Sequence, residues 1–253
     1  MDPSVLFDHY CREIETKFEG WDFSHIQGRM QEFPLSWSYR ALIVPYVLGC
    51  NCLLDIGTGG GEFLSSLPLP LKGVHATEWY PPNVAIAKAR LAPLGVAVDY
   101  VTSAEELPFN DQYFDLIISR HESYSESEVF RVLKPGGHFI TQQVGARNNK
   151  DINEILEAPD PEYFDLDWTV SHLATQMERV GFQIIQAKEE KFLTRLFDIG
   201  ALIYFLKAIP WQIPNFSIER YRDKLFQLHT YILEHHYYDA KSQRYILQAR
   251  KPF

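Results

Sequence analysis

Asp55, Gly57, Gly59 and Gly61 occupy alternate positions in the stretch LLDIGTGGGEF, residues 53–63. Glycine has no Cβ, so such a cluster allows the backbone to turn sharply and to approach a ligand closely. In open α/β sheets, ligands bind in the crevice outside the carboxyl ends of the strands. An apolar run precedes the glycines, and the stretch therefore predicts a ligand-binding loop directly after a buried strand.

The glycine loop does not match the two common phosphate-binding patterns. A P-loop requires GxxxxGK[ST], and the sequence contains no such stretch. The dinucleotide pattern GxGxxG, counted from Gly57 and Gly59, would place its third glycine at position 62, which is Glu62. A carboxylate at a helix N-terminus would repel a pyrophosphate there. The formal net charge of -9 also disfavours a polyphosphate ligand or a nucleic acid.

Further polar residues follow the next predicted strands. Glu78 ends the second strand, 21 residues after Gly57. His121, Glu122 and Tyr124 lie just beyond the fourth strand. His121 is a possible general base, because imidazole titrates near neutral pH; alternatively, it is a loop histidine that positions the backbone or a cofactor. Glu122 and Tyr124 complete the catalytic candidates.

Strands and helices alternate from residue 51 onward, which predicts a doubly wound, mostly parallel sheet with flanking helices. Residues 1–50 read as an N-terminal helical cap segment, and 51–253 as the α/β domain. A helical insert, rich in aromatic residues, is predicted at about 188–242, before the last strand. The insert is either a substrate cap or a layer that covers the sheet edge. Seven strands are predicted, at 52–57, 73–78, 97–102, 114–120, 138–144, 182–187 and 244–250.

The loop motif, Glu78 and the stretches SAEELPF (103–109), FDLIISRH (114–121) and RVLKPGGHFI (131–140) occur in one order over roughly residues 50–145. This set resembles the class I, Rossmann-like S-adenosylmethionine-dependent methyltransferases, of the methyltransferase type 11 kind. The resemblance implies that S-adenosylmethionine is the cofactor and that Glu78 binds its ribose. Ser103 stands where many members have an acidic residue, so the adenine contact stays open between Ser103 and the backbone groups of Thr102, Ala104 and Glu105. The implied cofactor-binding residues also include Asp55, Gly57, Thr58, Gly59, Gly61 and Arg120.

N-terminal segments of this family often close over the cofactor, which draws attention to WSYR, residues 37–40. Arg40 would pair with the methionine carboxylate, and Tyr39 or Trp37 would face the sulfonium, because aromatic faces attract cations. The alternative is a packed helix with a solvated arginine. Gln142 and Gln143 end the fifth strand, and alternation predicts that one of them faces the cleft. The substrate-binding candidates are Trp37, Gln143, Tyr204 and Trp211.

Methyl transfer from a sulfonium requires mainly that the two reactants be positioned and water excluded. The acidic charge and the aromatic insert favour a small-molecule acceptor. An RNA-base methyltransferase and a non-catalytic S-adenosylmethionine-binding protein remain as alternatives. No metal site is expected, since Cys11, Cys50 and Cys52 have no zinc spacing and the HHYYD stretch (235–239) has unfavourable helical spacing. No apolar run approaches the length of a membrane span, so we expect a cytoplasmic protein whose oligomeric state stays open.

Overall fold

A computed structural model describes residues 2–70, 73–161 and 169–253 of the chain. These residues form one eight-stranded sheet with α-helices on both faces. The strands are β1 (Met30–Glu32), β2 (Leu53–Ile56), β3 (Val74–Glu78), β4 (Ala97–Tyr100), β5 (Phe114–Arg120), β6 (Leu133–Val144), β7 (Gln183–Leu196) and β8 (Tyr238–Arg250). The helices are α1 (Pro3–Cys11), α2 (Tyr39–Gly49), α3 (Glu62–Ser65), α4 (Pro81–Leu91), α5 (Glu126–Val132), α6 (Lys150–Leu156), α7 (Val170–Val180), α8 (Ile199–Ala208) and α9 (Ile218–His235).

The strand order is β1-β7-β8-β6-β5-β2-β3-β4. The ladders that join β4, β3, β2, β5 and β6 are parallel, whereas β8, β7 and β1 join by antiparallel ladders. The order reverses direction between β2 and β5, which is the switch point where open α/β sheets bind ligands. The doubly wound, mostly parallel sheet predicted from the sequence is confirmed, with one short strand, β1, in addition to the seven expected.

Two apolar layers enclose the parallel part of the sheet. On one face, Ile43 of α2 and Leu91 of α4 are fully buried against Leu53 and Ile118. On the other face, Val129 of α5 and Met177 of α7 pack in a cluster that includes Leu54 and Ile117. Adjacent strand residues such as Leu53 and Leu54 thus point to opposite faces, and both are buried, as continuous apolar strands of parallel sheets require.

The last two strands are longer than the sequence pattern indicated. β7 and β8 pair from Gln183 with Arg250 to Leu196 with Tyr238, so the helical part of the predicted 188–242 insert narrows to α8 and α9. The stretch KEEKFLTRL, residues 188–196, mixes charges and apolar residues, which gave no strand signal. Its backbone N–H and C=O groups instead form hydrogen bonds in the long antiparallel ladder with β8.

The two helices of the insert share a core with the start of the chain. Phe7 of α1 and Ile26 are buried in one cluster with Leu202 of α8 and Leu225 of α9. An ion-pair network links the same elements: Arg29 lies 2.7 Å from Asp198, which caps α8, and 2.6 Å from Glu13. We call residues 3–32 together with α8 and α9 the cap layer.

Within the described ranges, no helix combines the length and the apolarity that a membrane crossing requires.

Candidate functional site

A cleft of about 240 Å³ opens at the carboxyl ends of β2 and β3. We call it the small cleft; its walls come from residues 56–57, 77–79, 101–104, 107 and 122–124. Among these described wall residues, Glu78 and Glu122 are acidic, and none is lysine, arginine or histidine. The small cleft therefore offers negative charge and no cation for a phosphate.

The glycine loop forms one side of the small cleft because its backbone adopts conformations that favour glycine. Gly57 has φ of +72° and Gly61 has φ of +81°. A Cβ at Gly57 would overlap the side chain of Glu122, and one at Gly61 would overlap Leu91. Any larger residue at Gly57 would thus be strained and would push Glu122 away from the loop.

Glu78 is buried at the floor of the small cleft, with 3% of its surface exposed. Its carboxylate accepts hydrogen bonds from the backbone N–H groups of Gly59 at 2.7 Å, Trp79 at 3.0 Å and Tyr80 at 2.8 Å. Burial, together with the charge of Glu122, raises the pKa of this carboxyl despite those bonds. The amides fix its orientation, and Oε2, which accepts from Gly59 alone of these three amides, has a second lone pair that can accept from a ligand hydroxyl.

Asp55 lies under the glycine loop and is 4% exposed. Burial raises the pKa of its carboxyl to about 7, and the nearby charge of Arg120 opposes that rise. The Arg120 guanidinium lies 4.4 Å from the centre of the Phe63 ring. An acid and a guanidinium side by side form a pair that can receive the ammonium and the carboxylate of an amino-acid group.

A second and larger cavity, of about 1020 Å³, lies between the sheet edge and the cap layer. We call it the chamber. Its apolar wall contains Trp21, Phe23, Phe205 and Trp211, and the Trp21 and Trp211 rings lie parallel with centroids 6.0 Å apart. Its polar wall is rich in side-chain amides, namely Gln27, Gln142, Gln143, Asn148, Asn149, Gln176 and Gln212. The chamber thus combines aromatic surface with groups that both donate and accept hydrogen bonds.

His121 lines the chamber in a left-handed backbone conformation, with φ of +62°. Burial, with the positive charges of Arg244 and Arg120, lowers the pKa of its imidazole well below 6.5. Its Nδ1 is buried and has no hydrogen-bond partner within the part of the chain that the structure describes. A neutral imidazole with a free ring nitrogen can accept a hydrogen bond from a ligand but is a weak base.

Glu122, Ser123 and Tyr124 line both cavities. Glu122 Oε2 accepts from the Trp79 indole N–H at 2.9 Å. The segment from 122 to 124 is therefore the boundary at which the small cleft and the chamber meet.

The structure brings four of the predicted cofactor residues to the walls of the small cleft, whereas Arg120 lines the chamber. Gly57, Glu78, Ser103 and Ala104 line the small cleft. Thr58 is buried beside them, and the interaction of its hydroxyl with Asp55 lowers the pKa of that carboxyl, against the effect of burial. Glu105 is exposed and outside the walls; its backbone N–H donates to Ser103 Oγ at 3.0 Å.

The predicted residues of the WSYR stretch contact neighbouring elements. The buried Tyr39 hydroxyl donates to the backbone oxygens of Ser119 and Ile140. Arg40 donates to Ser66, to Oγ at 2.8 Å and to the backbone oxygen at 2.7 Å. These contacts hold α2 against the sheet and α3, and neither side chain lines the small cleft or the chamber.

The predicted acceptor-side residues separate into two groups. Gln142 and Gln143 both line the chamber, although alternation predicted one. Trp37 Nε1 donates to Gln142 Oε1 at 2.9 Å, so Trp37 supports the chamber wall from behind.

The two aromatic candidates of the insert also differ. Trp211 lines the chamber with 51% of its surface exposed, whereas Tyr204 is 2% exposed in the core of the cap layer. The sequence did not predict the chamber residues Trp21, Phe23 and Arg244, because no local motif surrounds them. Trp79 was also missed, although its position directly after Glu78 was a usable signal.

The geometry agrees with what comparisons with known proteins find. Residues 54–141 match the family model described as a methyltransferase domain. The ubiquinone/menaquinone biosynthesis C-methyltransferase UbiE of Pseudomonas savastanoi pv. phaseolicola is 29% identical over 135 residues, which are 48% of this chain and 53% of the relative. The chain thus spans about half the length of the curated relatives it matches.

Solved structures share the fold at low sequence identity. A candidate methyltransferase from Bacillus halodurans C-125 superposes with a TM-score of 0.61 at 20% identity, over 85% of this chain and 99% of the other. The [4+2]-cyclase SpnF superposes with a TM-score of 0.51 at 20% identity, over 84% of this chain and 80% of the other. At such identity the likeness concerns the fold alone.

Proposed function

We propose that this chain, whose residues 54–141 match a methyltransferase domain, is a class I S-adenosylmethionine-dependent methyltransferase that transfers a methyl group to a small-molecule acceptor held in the chamber. The observation that carries the proposal is the pair of joined cavities. The small cleft has the size and charge for an adenosyl group, and the chamber adjoins it at residues 122–124.

The residues of the small cleft fit S-adenosylmethionine. This cofactor is cationic at sulfur and lacks a pyrophosphate, which suits walls that hold two carboxylates and, in the described chain, no basic side chain. Glu78 would accept from the ribose hydroxyls, and Ser103, Ala104 and Leu107 would contact the adenine. Asp55 would hold the ammonium. When bound, the cofactor supplies a methyl group on a sulfonium that is its own leaving group.

Arg120 is a better partner than Arg40 for the amino-acid carboxylate of that cofactor. Arg40 donates its hydrogen bonds to Ser66. Arg120 lies near Asp55 and forms no ion pair within the described residues. The two opposite charges would then hold the zwitterionic end of the ligand next to the glycine loop.

The chamber determines the acceptor. Its volume of about 1020 Å³ exceeds what a one- or two-carbon metabolite requires, and its aromatic wall suits a flat or apolar body. The amides of Gln142, Gln143 and Asn148 would orient oxygen or nitrogen substituents. His121, neutral at physiological pH, would accept a hydrogen bond from the acceptor through its free ring nitrogen.

Catalysis by this chain would rest on positioning and on exclusion of water by the cap layer. Well-oriented reactants lower the barrier without any obligatory base. A base is needed only when the acceptor loses a proton, and the depressed pKa of His121 limits it to weakly held protons.

A transfer assay tests the proposal. Labelled methyl groups from S-adenosylmethionine should appear in an organic extract of a metabolite pool incubated with the wild-type protein, and S-adenosylhomocysteine should accumulate. Label that enters added RNA, or no turnover with any pool, would contradict a small-molecule acceptor.

A further inference from the structure

The Glu122 side chain lies where the small cleft meets the chamber. Of the three residues that line both cavities, Glu122, Ser123 and Tyr124, only Glu122 has a carboxyl group. Its Cβ and Cγ rest against the α-carbon of Gly57, at which an added Cβ would overlap them. The absence of a side chain at Gly57 therefore allows Glu122 to approach the glycine loop.

The Glu122 carboxylate is held in place by several hydrogen bonds. Oε2 accepts from Trp79 Nε1 at 2.9 Å, and Oε1 accepts from the backbone N–H of Ser123 at 2.8 Å and from its hydroxyl at 3.1 Å. Gln143 Nε2 donates to the backbone oxygen of Glu122 at 2.9 Å, from the chamber side. The negative charge is thus held at the boundary between the two cavities.

A methyl group that passes from a donor in one cavity to an acceptor in the other must cross this boundary. This step rests on the proposed function, which places the donor sulfur close to Glu122. In the transfer the S–CH₃ bond breaks, the bond from the acceptor to the methyl carbon forms, and the sulfur keeps the electron pair. The sulfur changes from a cation to a neutral thioether in this step.

We propose that Glu122 distinguishes the two charge states of the cofactor, binding the sulfonium of S-adenosylmethionine in preference to the neutral sulfur of S-adenosylhomocysteine. Opposite charges a few ångströms apart attract each other strongly in a partly desolvated site. That attraction is lost when the sulfur becomes neutral. Glu122 thereby favours release of the spent cofactor and limits product inhibition.

Glu78 provides the matched control, because it is the other carboxylate of the small cleft. Three backbone amides hold its carboxylate, and it lines the small cleft but not the chamber. Its loss should affect both ligands alike, since both contain the same ribose. The loss of the Glu122 charge should weaken mainly the binding of the ligand with the charged sulfur.

The test is a calorimetric titration of each ligand into the wild-type chain and into Glu122→Gln, Glu122→Asp and Glu78→Gln. Glutamine at 122 can still accept from the Trp79 indole, so the fold should be kept, and melting temperatures check this. We expect Glu122→Gln to weaken the binding of S-adenosylmethionine by about tenfold and the binding of S-adenosylhomocysteine by less than about threefold. Glu122→Asp should restore most of the preference, and Glu78→Gln should weaken both ligands to a similar extent.

An unchanged ratio of the two affinities in Glu122→Gln, with both ligands still bound, would overturn the role of Glu122 and leave the proposed function standing. If the wild-type chain bound neither ligand, that result would contradict both the proposed function and this inference.

Discussion

At the scale of one residue, Asp55 shows how burial changes the ionisation of a carboxyl under the glycine loop. Its carboxyl is buried and has a pKa of about 7, so ionisation near neutral pH is costly in the free protein. A bound ammonium would remove that cost by supplying the missing positive charge. A buried carboxyl with a raised pKa is more typical of a binding site than of a purely structural core.

Asp55→Asn should make the free protein more stable at pH 8. A carboxyl whose pKa is raised on folding contributes its full stability below the unfolded pKa, and that contribution is lost as the pH rises through about 7. We expect the variant to gain about 1–3 kcal/mol at pH 8 and nothing at pH 4, from denaturant melts at the two pH values.

Asp115→Asn is the control, with the opposite sign. Although partial burial opposes it, Lys134 and two backbone amides hold the pKa of this carboxyl below its usual value. Its contribution is present above the unfolded pKa and is lost in acid, so this variant should be less stable at pH 8. If Asp55→Asn were destabilising at pH 8 and unaffected by pH, the electrostatic explanation would be wrong.

Glu78 gives the second prediction at this scale. Glu78→Gln should weaken the binding of S-adenosylmethionine by about 1–3 kcal/mol, because a charge-assisted acceptor for the ribose is replaced by a neutral one. Glu78→Ala should in addition lower the melting temperature, since it leaves three backbone amides without their acceptor. Equal affinity in wild type and Glu78→Gln would place the ribose elsewhere.

At the scale of elements, the cap layer explains how distant parts of the chain close the chamber. Trp21 comes from the N-terminal segment and Trp211 from the turn between α8 and α9, and their rings lie parallel at the chamber wall. The Arg29 ion pairs with Glu13 and Asp198 connect the same two parts. The chamber wall thus depends on contacts between segments far apart in sequence.

Trp211→Ala and Tyr204→Ala form a matched pair that separates the role of the chamber wall from that of the core. Trp211 is half exposed, so its loss should cost less than about 1 kcal/mol of folding stability while lowering acceptor turnover. Tyr204 is buried, and its loss should cost about 3–5 kcal/mol. Melting temperature, cofactor affinity and turnover are measured on both variants. Normal turnover in a stable Trp211→Ala protein would contradict an acceptor contact.

The elements that the sequence predicted well are those with a strong local signal. β2 and β5 follow from continuous apolar runs, and α4 and α7 from their periodicity and ends. β1 and the outer half of β7 were missed because their stability comes from the pairing of Met30 with Leu196 and from the β8 ladder. Pairing between distant segments leaves no local pattern in composition.

The same reasoning applies to the site. Gly57 and Glu78 were predicted because a glycine loop and a strand-end acid at this spacing form a motif. The contact of Glu122 with Gly57, and the meeting of Trp21 with Trp211, require the folded topology. Motifs therefore indicated the cofactor side, and the structure was needed for most of the acceptor side.

At the scale of the whole molecule, the small cleft and the chamber meet at one edge of the sheet, and the cap layer covers the chamber. The acidic chain has no basic wall in the small cleft among the residues described, so it should discriminate against nucleotides that carry several phosphates. A ligand that binds only the native state also stabilises the whole fold by mass action. Both properties are measurable on the intact chain without knowledge of the acceptor.

The most direct measurement is a calorimetric titration of the wild-type chain with S-adenosylmethionine, S-adenosylhomocysteine, NAD and ATP, paired with thermal melts in each ligand. The account predicts saturable binding of the two adenosyl ligands, with a higher melting temperature in both, and no comparable effect of NAD or ATP. Binding of NAD or ATP in place of the adenosyl ligands, or no heat and no thermal shift with either adenosyl ligand, would contradict it.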